Sequence, residues 1–474
     1  MDKYELIVLG AGSGGLTAAR TAAKLGARVA ILEKSKIGGD CLHTGCVPSK
    51  SLISIARKLY AQKSLQIFRQ GQSLTSWEVD YGAIRRAVQS NQQVIVDATD
   101  NEQALADIGI TTIRGEFAFQ DAHTLRSTDG TSVRFKKCII ASGSQPREPE
   151  IPGIEDVAYL TSDTIWDMAA IPDTLAVIGG GPIGLELGQA FAMLGSKVTI
   201  FERGERLVPR FDTDISRRLQ DGLEASGVKI IFSSSVERVD QQNEGAVVTY
   251  KQDDTTRKLP VSKLLVAIGR VPHTAGLGLE KAAVDLCERG GIQTDSKQRT
   301  TQKHIYAVGD CLGGPLFTHW AAEQGANAAL HAALGIARGL NANALPSATF
   351  TTPEIGQVGA AEQQLQSDKT EYKKLTIPYS DIDKAIAEQE HGVITVLIDA
   401  KRRVLGAAIV GNNAAELIGY FSVLIAKKRA FDDLAGPIQP YPTYAMAIKQ
   451  TAGEKRLSDF GASWLGRLLR TFRS

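Results

Sequence analysis

Glu5-Leu6-Ile7-Val8-Leu9-Gly10-Ala11-Gly12-Ser13-Gly14-Gly15-Leu16 decides how this chain is read. Five residues suited to a buried strand run into a glycine turn, and a helical stretch follows from Leu16 to Leu25. A second strand, Ala27 to Leu32, leads to Glu33 and Lys34. Gly10, Gly12 and Gly15 have the G-x-G-x-x-G spacing of a dinucleotide-binding βαβ unit. In such a unit the first glycine permits a tight turn and the second lets backbone approach a pyrophosphate. The third lets the helix pack closely on the strand. The helix N-terminus offers unpaired N–H groups and a positive dipole end to phosphate. Glu33 falls about 20 residues on, where an acid binds ribose hydroxyls. A chance glycine turn would not also bring strand, helix, strand and acid in order.

The unit recurs. Thr174–Ile178 reads as a strand, followed by Gly179-Gly180-Gly181-Pro182-Ile183-Gly184, a helix to about Leu194, and a strand Lys197–Phe201 ending at Glu202. Two such units imply two dinucleotides and electron transfer between them. A carboxylate at Glu202 would accept hydrogen bonds from a free ribose and repel a 2′-phosphate, which favours NADH. Arg203 and Arg206 lie close enough in sequence to accommodate a phosphate, so NADPH stays open.

Composition sets the outer bounds. The chain has 474 residues, which suggests roughly three domains. A formal net charge of +2 gives no argument for nucleic acid. No apolar run is long enough for a transmembrane helix, and the N-terminus reads straight into a strand without a signal peptide. Five cysteines, an odd number, speak against a secreted disulfide framework and for a reducing cytoplasm.

Two of the five stand close together, in Gly38-Gly39-Asp40-Cys41-Leu42-His43-Thr44-Gly45-Cys46-Val47-Pro48-Ser49-Lys50. In a regular helix a five-residue separation puts the Cα atoms roughly 8–9 Å apart. A disulfide needs less than about 7 Å. An oxidised pair therefore requires a distorted segment, which Gly45 makes feasible. Strain of that kind raises reducibility. A following helix N-terminus and Lys50 would favour the thiolate of Cys46. A zinc half-site or two inert thiols are the other readings, although no second cysteine or histidine pair has ligand spacing. Cys138, Cys287 and Cys311 read as structural.

The stretch resembles the active site of the class I pyridine nucleotide–disulfide oxidoreductases, the family of dihydrolipoamide dehydrogenase, glutathione reductase and mercuric reductase, whose pattern is G-G-T-C-x-x-x-G-C-x-P-S-K. Asp40 stands where that pattern has threonine. The resemblance extends over nearly the whole chain. Ala141-Ser142-Gly143 and Ala267-Ile268-Gly269-Arg270 are similar to the family's connecting motifs. Ala307-Val308-Gly309-Asp310 is similar to its second FAD motif, and Phe350-Thr351-Thr352-Pro353-Glu354-Ile355-Gly356 to the opening of its interface domain.

The resemblance implies an α/β chain with two Rossmann-like dinucleotide-binding domains, for FAD and NAD(P), and a C-terminal α+β dimerisation domain. The FAD domain is expected at 1–155 and 275–342, the NAD(P) domain at 156–274 and the dimerisation domain at 343–457. FAD is expected on Gly10, Gly12, Gly14, Gly15, Glu33, Lys34, Gly39, Lys50, Ser142, Gly143, Gly309 and Asp310. NADH or NADPH is expected on Gly179, Gly181, Gly184, Glu202 and Gly269. Cys41 is then the interchange thiol that attacks the acceptor. Cys46 lies against the flavin and forms a charge-transfer complex, and Lys50 pairs with Glu186. The implied protein is a cytoplasmic homodimer passing electrons from NAD(P)H through FAD to Cys41–Cys46. The final acceptor would be a small molecule or small protein: a disulfide, a metal ion or a quinone-like carrier.

Near the C-terminus the family carries His-Pro-Thr-x-x-Glu, whose histidine and glutamate form the acid–base dyad of thiol exchange. This chain reads Tyr441-Pro442-Thr443-Tyr444-Ala445-Met446, so both members are absent and Tyr441 takes the first place. A phenol titrating near 10 is a poor proton shuttle at neutral pH. Mercuric reductases carry tyrosine here but also a C-terminal cysteine pair, and Lys455 to Ser474 contains no cysteine. The resulting description is a mercuric-reductase-like flavoprotein of unassigned acceptor. A dihydrolipoamide dehydrogenase with altered acid–base chemistry and a redox-sensing flavoprotein are the alternatives. His43, between the cysteines, reads as a surface loop residue or as one facing the substrate side; His319 reads as just before a helix from Trp320, whose start by the resemblance points at the flavin and would stabilise negative charge on its reduced form, or as a packing or capping residue. In the tail, 458–474, Phe460, Trp464, Leu468 and Phe472 form one apolar stripe, with Arg467, Arg470 and Arg473 off it. Such a helix would dock on an anionic membrane surface or pack on the dimer itself.

Overall fold

A computed structural model describes residues 3–64 and 79–462. The opening strand is β1, Lys3–Leu9, and the glycine turn after it leads to helix α1, Ser13–Lys24. Strand β2 is Val29–Glu33, so Glu33 closes the strand instead of following it. The cysteine segment folds as a one-turn helix α2, Gly39–His43, and a long helix α3, Cys46–Ser64. Helix α4, Tyr81–Ala98, comes next, its first turn closed by Asp80, whose carboxylate accepts from Ala83 N. Strands β3 (Ile110–Arg114), β4 (Phe117–Asp121), β5 (Thr124–Ser127) and β6 (Ser132–Ile140) complete the domain's main sheet, with Ile305–Ala307 added beside β6.

The strand order is β3-β2-β1-β6-β5-β4. β1 lies parallel between β2 and β6, with Leu9 opposite both Leu32 and Ile140. Alternate residues of β1 feed two cores because successive side chains point to opposite faces. Ile7 and Leu9 pack with Phe117, Phe119 and Phe135 on one side. Leu6 and Val8 pack with Ala18, Ala22, Ala328 and Ala329 on the other. The three turns that follow β1, β2 and β6 converge on one crevice, as expected at the switch point of an open parallel sheet.

After the short strand β7 (Ser144–Pro146), the second glycine unit is strand β8 (Thr174–Ile178), helix α5 (Pro182–Leu194) and strand β9 (Lys197–Phe201). Strand β10 (Lys263–Val266) runs parallel to β8. The two units repeat one steric device. A Cβ on Gly10 would sit 2.3 Å from the carbonyl of Ala141, and one on Gly179 2.5 Å from that of Ala267. A Cβ on Gly15 would meet the carbonyl of Gly10 at 2.0 Å, and one on Gly184 that of Gly179 at 2.1 Å. Each first turn is thus sealed by the strand that pairs with it. Those strands end in the two connecting motifs. Strand β11 (Arg270–Pro272) follows the second motif and pairs antiparallel with β7, Ser144 opposite Pro272. Helix α6, Thr318–Leu334, crosses α1 where a Cβ on Gly325 would meet Gly14 O at 2.2 Å.

Apart from the last two residues of β9, these elements belong to one compact unit, described residues up to 199 and 236–340. The second unit takes in 200–235 and the described residues from 341 onward. Its sheet is formed by β12 (Ser347–Thr349), β13 (Ile355–Gly359), β14 (Lys373–Pro378), β15 (Val393–Ile398) and β16 (Val404–Val410), in the order β12-β13-β16-β15-β14. Helices α7 (Ala414–Ala426) and α8 (Tyr444–Ala462) join it around Tyr379, Phe421, Phe431 and Tyr444. Among the described residues no helix is long and apolar enough to cross a membrane. Helix α8 carries the first part of the tail and exposes Leu457 and Phe460; residues 463–474 lie outside the described residues.

Candidate active site

The crevice is lined by the first glycine turn, by Glu33 to Lys36, by Gly39 to Cys41, by Ala141 to Ser144 and by Val308 to Asp310. It encloses a cavity of about 450 Å³. Glu33 holds the turn around it. One carboxylate oxygen accepts from Ala11 N at 2.7 Å and the other from Ser35 N at 2.7 Å. Gly143 sits at φ +75° with open space where a Cβ would project, and the nearest atom to a Cβ on Gly12 is 3.9 Å away. At these two positions a side chain would intrude on the crevice without clashing with protein. That is the cradle a dinucleotide needs, and the residues fit FAD. Gly14, by contrast, faces α6: its Cβ would lie 3.1 Å from Ala321 O. Lys34 Nζ lies 3.2 Å from His273 Nε2, and Ser142 Oγ donates to His273 O at 2.7 Å. Gly309 N donates to Gln324 Oε1 at 2.9 Å, and Asp310 accepts from Ser144 Oγ at 2.8 Å. Burial pushes the Asp310 carboxyl up, against that hydrogen bond and the Arg270 charge.

Cys41 and Thr318 line the crevice, and Cys46 lies against Thr318. The break between α2 and α3 falls at Thr44-Gly45, and both backbone N–H groups there donate to Asp40 O, at 2.9 and 2.6 Å. Gly45 is required at this turn, since a Cβ would lie 2.9 Å from the same carbonyl. Cys46 begins α3, so its sulfur stands at the helix N-terminus. Cys41 and Cys46 are not joined in a disulfide in this structure. Interaction with Cys46, with burial beside it, pushes the Cys41 thiol up. Interaction with Cys41 lowers Cys46 to about 6, helped by Thr318 and the charge of Lys50, against burial and Glu186. Cys46 Sγ lies 3.3 Å from Thr318 Oγ1, the first residue of α6.

One turn into α3, Lys50 Nζ donates to Glu186 Oε2 at 2.7 Å. Glu186 is supplied by α5, just past the second glycine turn, and its side chain is 7% exposed against 35% for Lys50. The pairing expected from the resemblance is therefore present in the geometry.

His43 Nε2 lies 2.8 Å from Ile37 O, a contact that holds the loop. His319 is the second residue of α6, not a residue before it, and stacks on Phe317. Cys138 and Cys311 are fully buried. Among the described residues no cluster of three or more His, Cys, Asp or Glu side chains could hold a metal ion. In the other unit, Tyr441 is exposed and its hydroxyl donates to Asp383 Oδ2 at 2.9 Å, which raises its pKa further. There too, Glu202 Oε1 accepts from Gly204 N at 2.7 Å, and the Arg206 guanidinium donates to Phe211 O and Pro209 O.

Thr318 and Trp166 were not reached from sequence. The Trp166 indole donates to Thr44 O at 2.8 Å and to Ser162 O at 2.9 Å, bracing the turn between the cysteines. A threonine opening a helix and a tryptophan in a connecting segment carry no signal of their partners.

A thiolate held near 6 is testable. In the two-electron-reduced protein the long-wavelength absorbance is expected to persist down to about pH 6 and fade below it, since protonation of Cys46 removes the donor. An ordinary thiol would titrate near 8.5. Thr318→Val removes a hydrogen bond to a charged sulfur and is expected to raise the midpoint by about one unit, as such bonds contribute about 1.5 kcal/mol. Anaerobic absorbance against pH reads both; a midpoint near 8.5 in the unmodified protein contradicts the arrangement.

Comparison with known proteins agrees with this geometry. Residues 4–325 match the family described as "Pyridine nucleotide-disulphide oxidoreductase", and 345–452 match its dimerisation domain. A mercuric reductase of Bacillus cereus is 33% identical over 94% of this chain and 70% of its own length. A dihydrolipoyl dehydrogenase of Geobacillus stearothermophilus is 32% identical over 94% of this chain and 95% of its own. The Cu(II) complex of the HOCl-induced flavoprotein disulfide reductase RclA from Escherichia coli superposes with a TM-score of 0.84 at 28% identity, covering 96% of this chain and 99% of that one. The chain belongs to the pyridine nucleotide-disulphide oxidoreductase family, as an enzyme that uses FAD and NAD(P)H and carries the domain by which members form homodimers.

Proposed function

We propose that the protein oxidises NAD(P)H and delivers the electrons through Cys41 and Cys46 to a thiol-reactive acceptor, either a small disulfide or a soft metal ion. The observation that carries this is the sulfur pair at the break between α2 and α3, with Cys46 at the start of α3, 3.3 Å from Thr318 Oγ1, and with opposite pKa shifts on the two thiols, Cys46 down and Cys41 up. Bound FAD supplies the relay between hydride donor and sulfur. Lys50, anchored by Glu186, contributes positive charge near Cys46. Glu33, Asp310 and the first glycine turn hold the cofactor.

With a disulfide acceptor, Cys41 sulfur attacks one acceptor sulfur and passes its proton to the neighbouring Cys46. The departing thiolate takes up that proton and leaves as a thiol. Cys46, again a thiolate, attacks Cys41 sulfur, forms the intramolecular disulfide and expels the second thiolate. Two electrons leave the dithiol and two acceptor sulfurs are reduced. This route uses Cys46 as the local base and needs no histidine, which suits a chain with tyrosine at 441. Among the relatives, mercuric reductase points to Hg(II) and the RclA complex to Cu(II) as metal acceptors to try.

NADH is the favoured donor, because Glu202 would repel a 2′-phosphate and Arg206 is engaged with its own loop. The same reading places the protein in the cytoplasm. The apolar stripe of 458–474 would touch an anionic membrane surface; a truncation after Leu457 that partitions with membranes as the full chain does excludes this.

The test is steady-state oxidation of NADH and NADPH by the full-length holoenzyme against small disulfides, Hg(II), Cu(II), a quinone and lipoamide. Turnover with a disulfide or a metal ion, lost on alkylating the dithiol, is expected. Lipoamide turnover equal to the best acceptor would favour a dihydrolipoamide dehydrogenase. Uptake of no electrons beyond those of the flavin would leave only a sensor.

A further inference from the structure

Asp40 immediately precedes the exchange cysteine, and its carboxylate meets the guanidinium of Arg270. Arg270 opens β11, directly after the Ala267-Ile268-Gly269 motif. Its side chain is only 13% exposed, and all five of its N–H groups are engaged. Nε donates to Ser144 Oγ at 2.8 Å, and Nη1 to Ser162 Oγ at 3.0 Å and Asp163 Oδ1 at 3.2 Å. Nη2 donates to Ser144 O at 2.9 Å and to Asp40 Oδ2. Ser144 in turn donates to Asp310. One guanidinium therefore joins the β7–β11 ribbon, the 162–163 segment and the first turn of α2.

Asp40 is the link from this hub to the sulfurs. Its side chain reaches Arg270, while its main-chain carbonyl accepts from Thr44 and Gly45, the residues before Cys46. Threonine at 40, as in the family pattern, would keep the carbonyl contacts but leave Arg270 with Asp163 alone as its anionic partner. A neutral hydroxyl is a weaker partner than a carboxylate for a half-enclosed guanidinium.

We propose that Asp40 is a positioning residue: by pairing with Arg270 it clamps α2 to the β7–β11 ribbon and so holds Cys41 in line for its attack on the acceptor and for the later attack by Cys46. This rests on the reading of Cys41 as the exchange thiol. The clamp acts on sulfur chemistry and not on hydride entry, because its anchor points lie on the cysteine helix and the connecting strands. Small misplacements of a reacting atom carry large rate penalties.

The test separates the half-reactions in rapid mixing of the holoenzyme. Flavin reduction by NADH reads the first, and reoxidation of the two-electron-reduced protein by bis(2-hydroxyethyl) disulfide reads the second. The probe is uncharged, so loss of a carboxylate does not alter its attraction. Asp40→Thr is expected to slow reoxidation about tenfold while flavin reduction stays within about twofold. Asp40→Asn should fall between, and Asp40→Glu should recover most of the rate. Arg270→Gln, which breaks all five contacts, should slow reoxidation at least as much as Asp40→Thr, and the double variant should be no slower than Arg270→Gln, because the Asp40 contact is already lost in it.

Equal reoxidation rates in Asp40→Thr and the unmodified protein overturn the proposal. So does a double variant whose defect is the product of the single ones, or a loss shared equally by both half-reactions. If Arg270→Gln loses its flavin, the graded Asn, Thr and Glu series at 40 decides alone. A different result, no electrons reaching the sulfurs in the unmodified protein, would defeat the proposed function and not the clamp.

Discussion

Cys46→Ser is expected to lower acceptor-coupled turnover by about 10³-fold or more while the protein keeps its FAD. Each tenfold loss corresponds to about 1.4 kcal/mol of barrier, so the effect amounts to about 4 kcal/mol. The sulfur at 46 has three roles that an alcohol cannot fill. It is the more acidic thiol of the pair, its negative charge is favoured by Thr318 and Lys50, and in the proposed route it closes the intramolecular disulfide. A serine hydroxyl stays neutral in this pH range and forms no sulfur–sulfur bond. Its volume is close to that of cysteine, so the crevice that holds the cofactor should be unchanged. Flavin content by absorbance and steady-state turnover with a disulfide check the prediction together. Turnover within tenfold of the unmodified protein would mean that electrons bypass the pair.

The second large effect concerns the Lys50–Glu186 pair, and it is asymmetric. Lys50→Met deprives a carboxylate that is 7% exposed of its countercharge, and removing one partner from a buried pair costs about 3–5 kcal/mol. Glu186→Gln leaves a lysine that is 35% exposed and retains access to water, so the loss should be about 1 kcal/mol. Lys50→Met is therefore expected to be the more damaging by about 2 kcal/mol or more. It should also raise the Cys46 midpoint, because the lysine charge is one of the influences that lower it. Denaturant unfolding followed by flavin release, with absorbance titration beside it, measures both. Equal destabilisation by the two variants would mean that burial of Glu186 does not set the energetics of this pair.

Much of the site was readable without coordinates because its devices are local. The two glycine units depend on contacts between a turn and the next few residues, and their spacing survives in the chain as a pattern. The structure returns the same collision at Gly10 and Gly179, and again at Gly15 and Gly184. The cysteine pair is equally local, down to the need for Gly45 at the break between the helices. Glu186, 136 residues from Lys50, came within reach only through resemblance to a family.

What could not be read is contact across long separations. Thr318 is 272 residues from Cys46, and Asp40 is 230 from Arg270. Asp40 is visible in the sequence as a departure from the family pattern, but nothing nearby names its partner. Arg270 belongs to a recognisable motif, yet its five hydrogen bonds draw on three separate segments.

The amino-acid order by itself determined the two dinucleotide folds, the redox cysteines and the absence of the histidine–glutamate dyad, since each is written in neighbouring residues. Tertiary structure alone decided which hydroxyl faces the thiolate and which guanidinium holds the cysteine helix. A side chain's electrostatic partner is set by where the strands and helices bring distant residues together, and spacing along the chain carries no record of that.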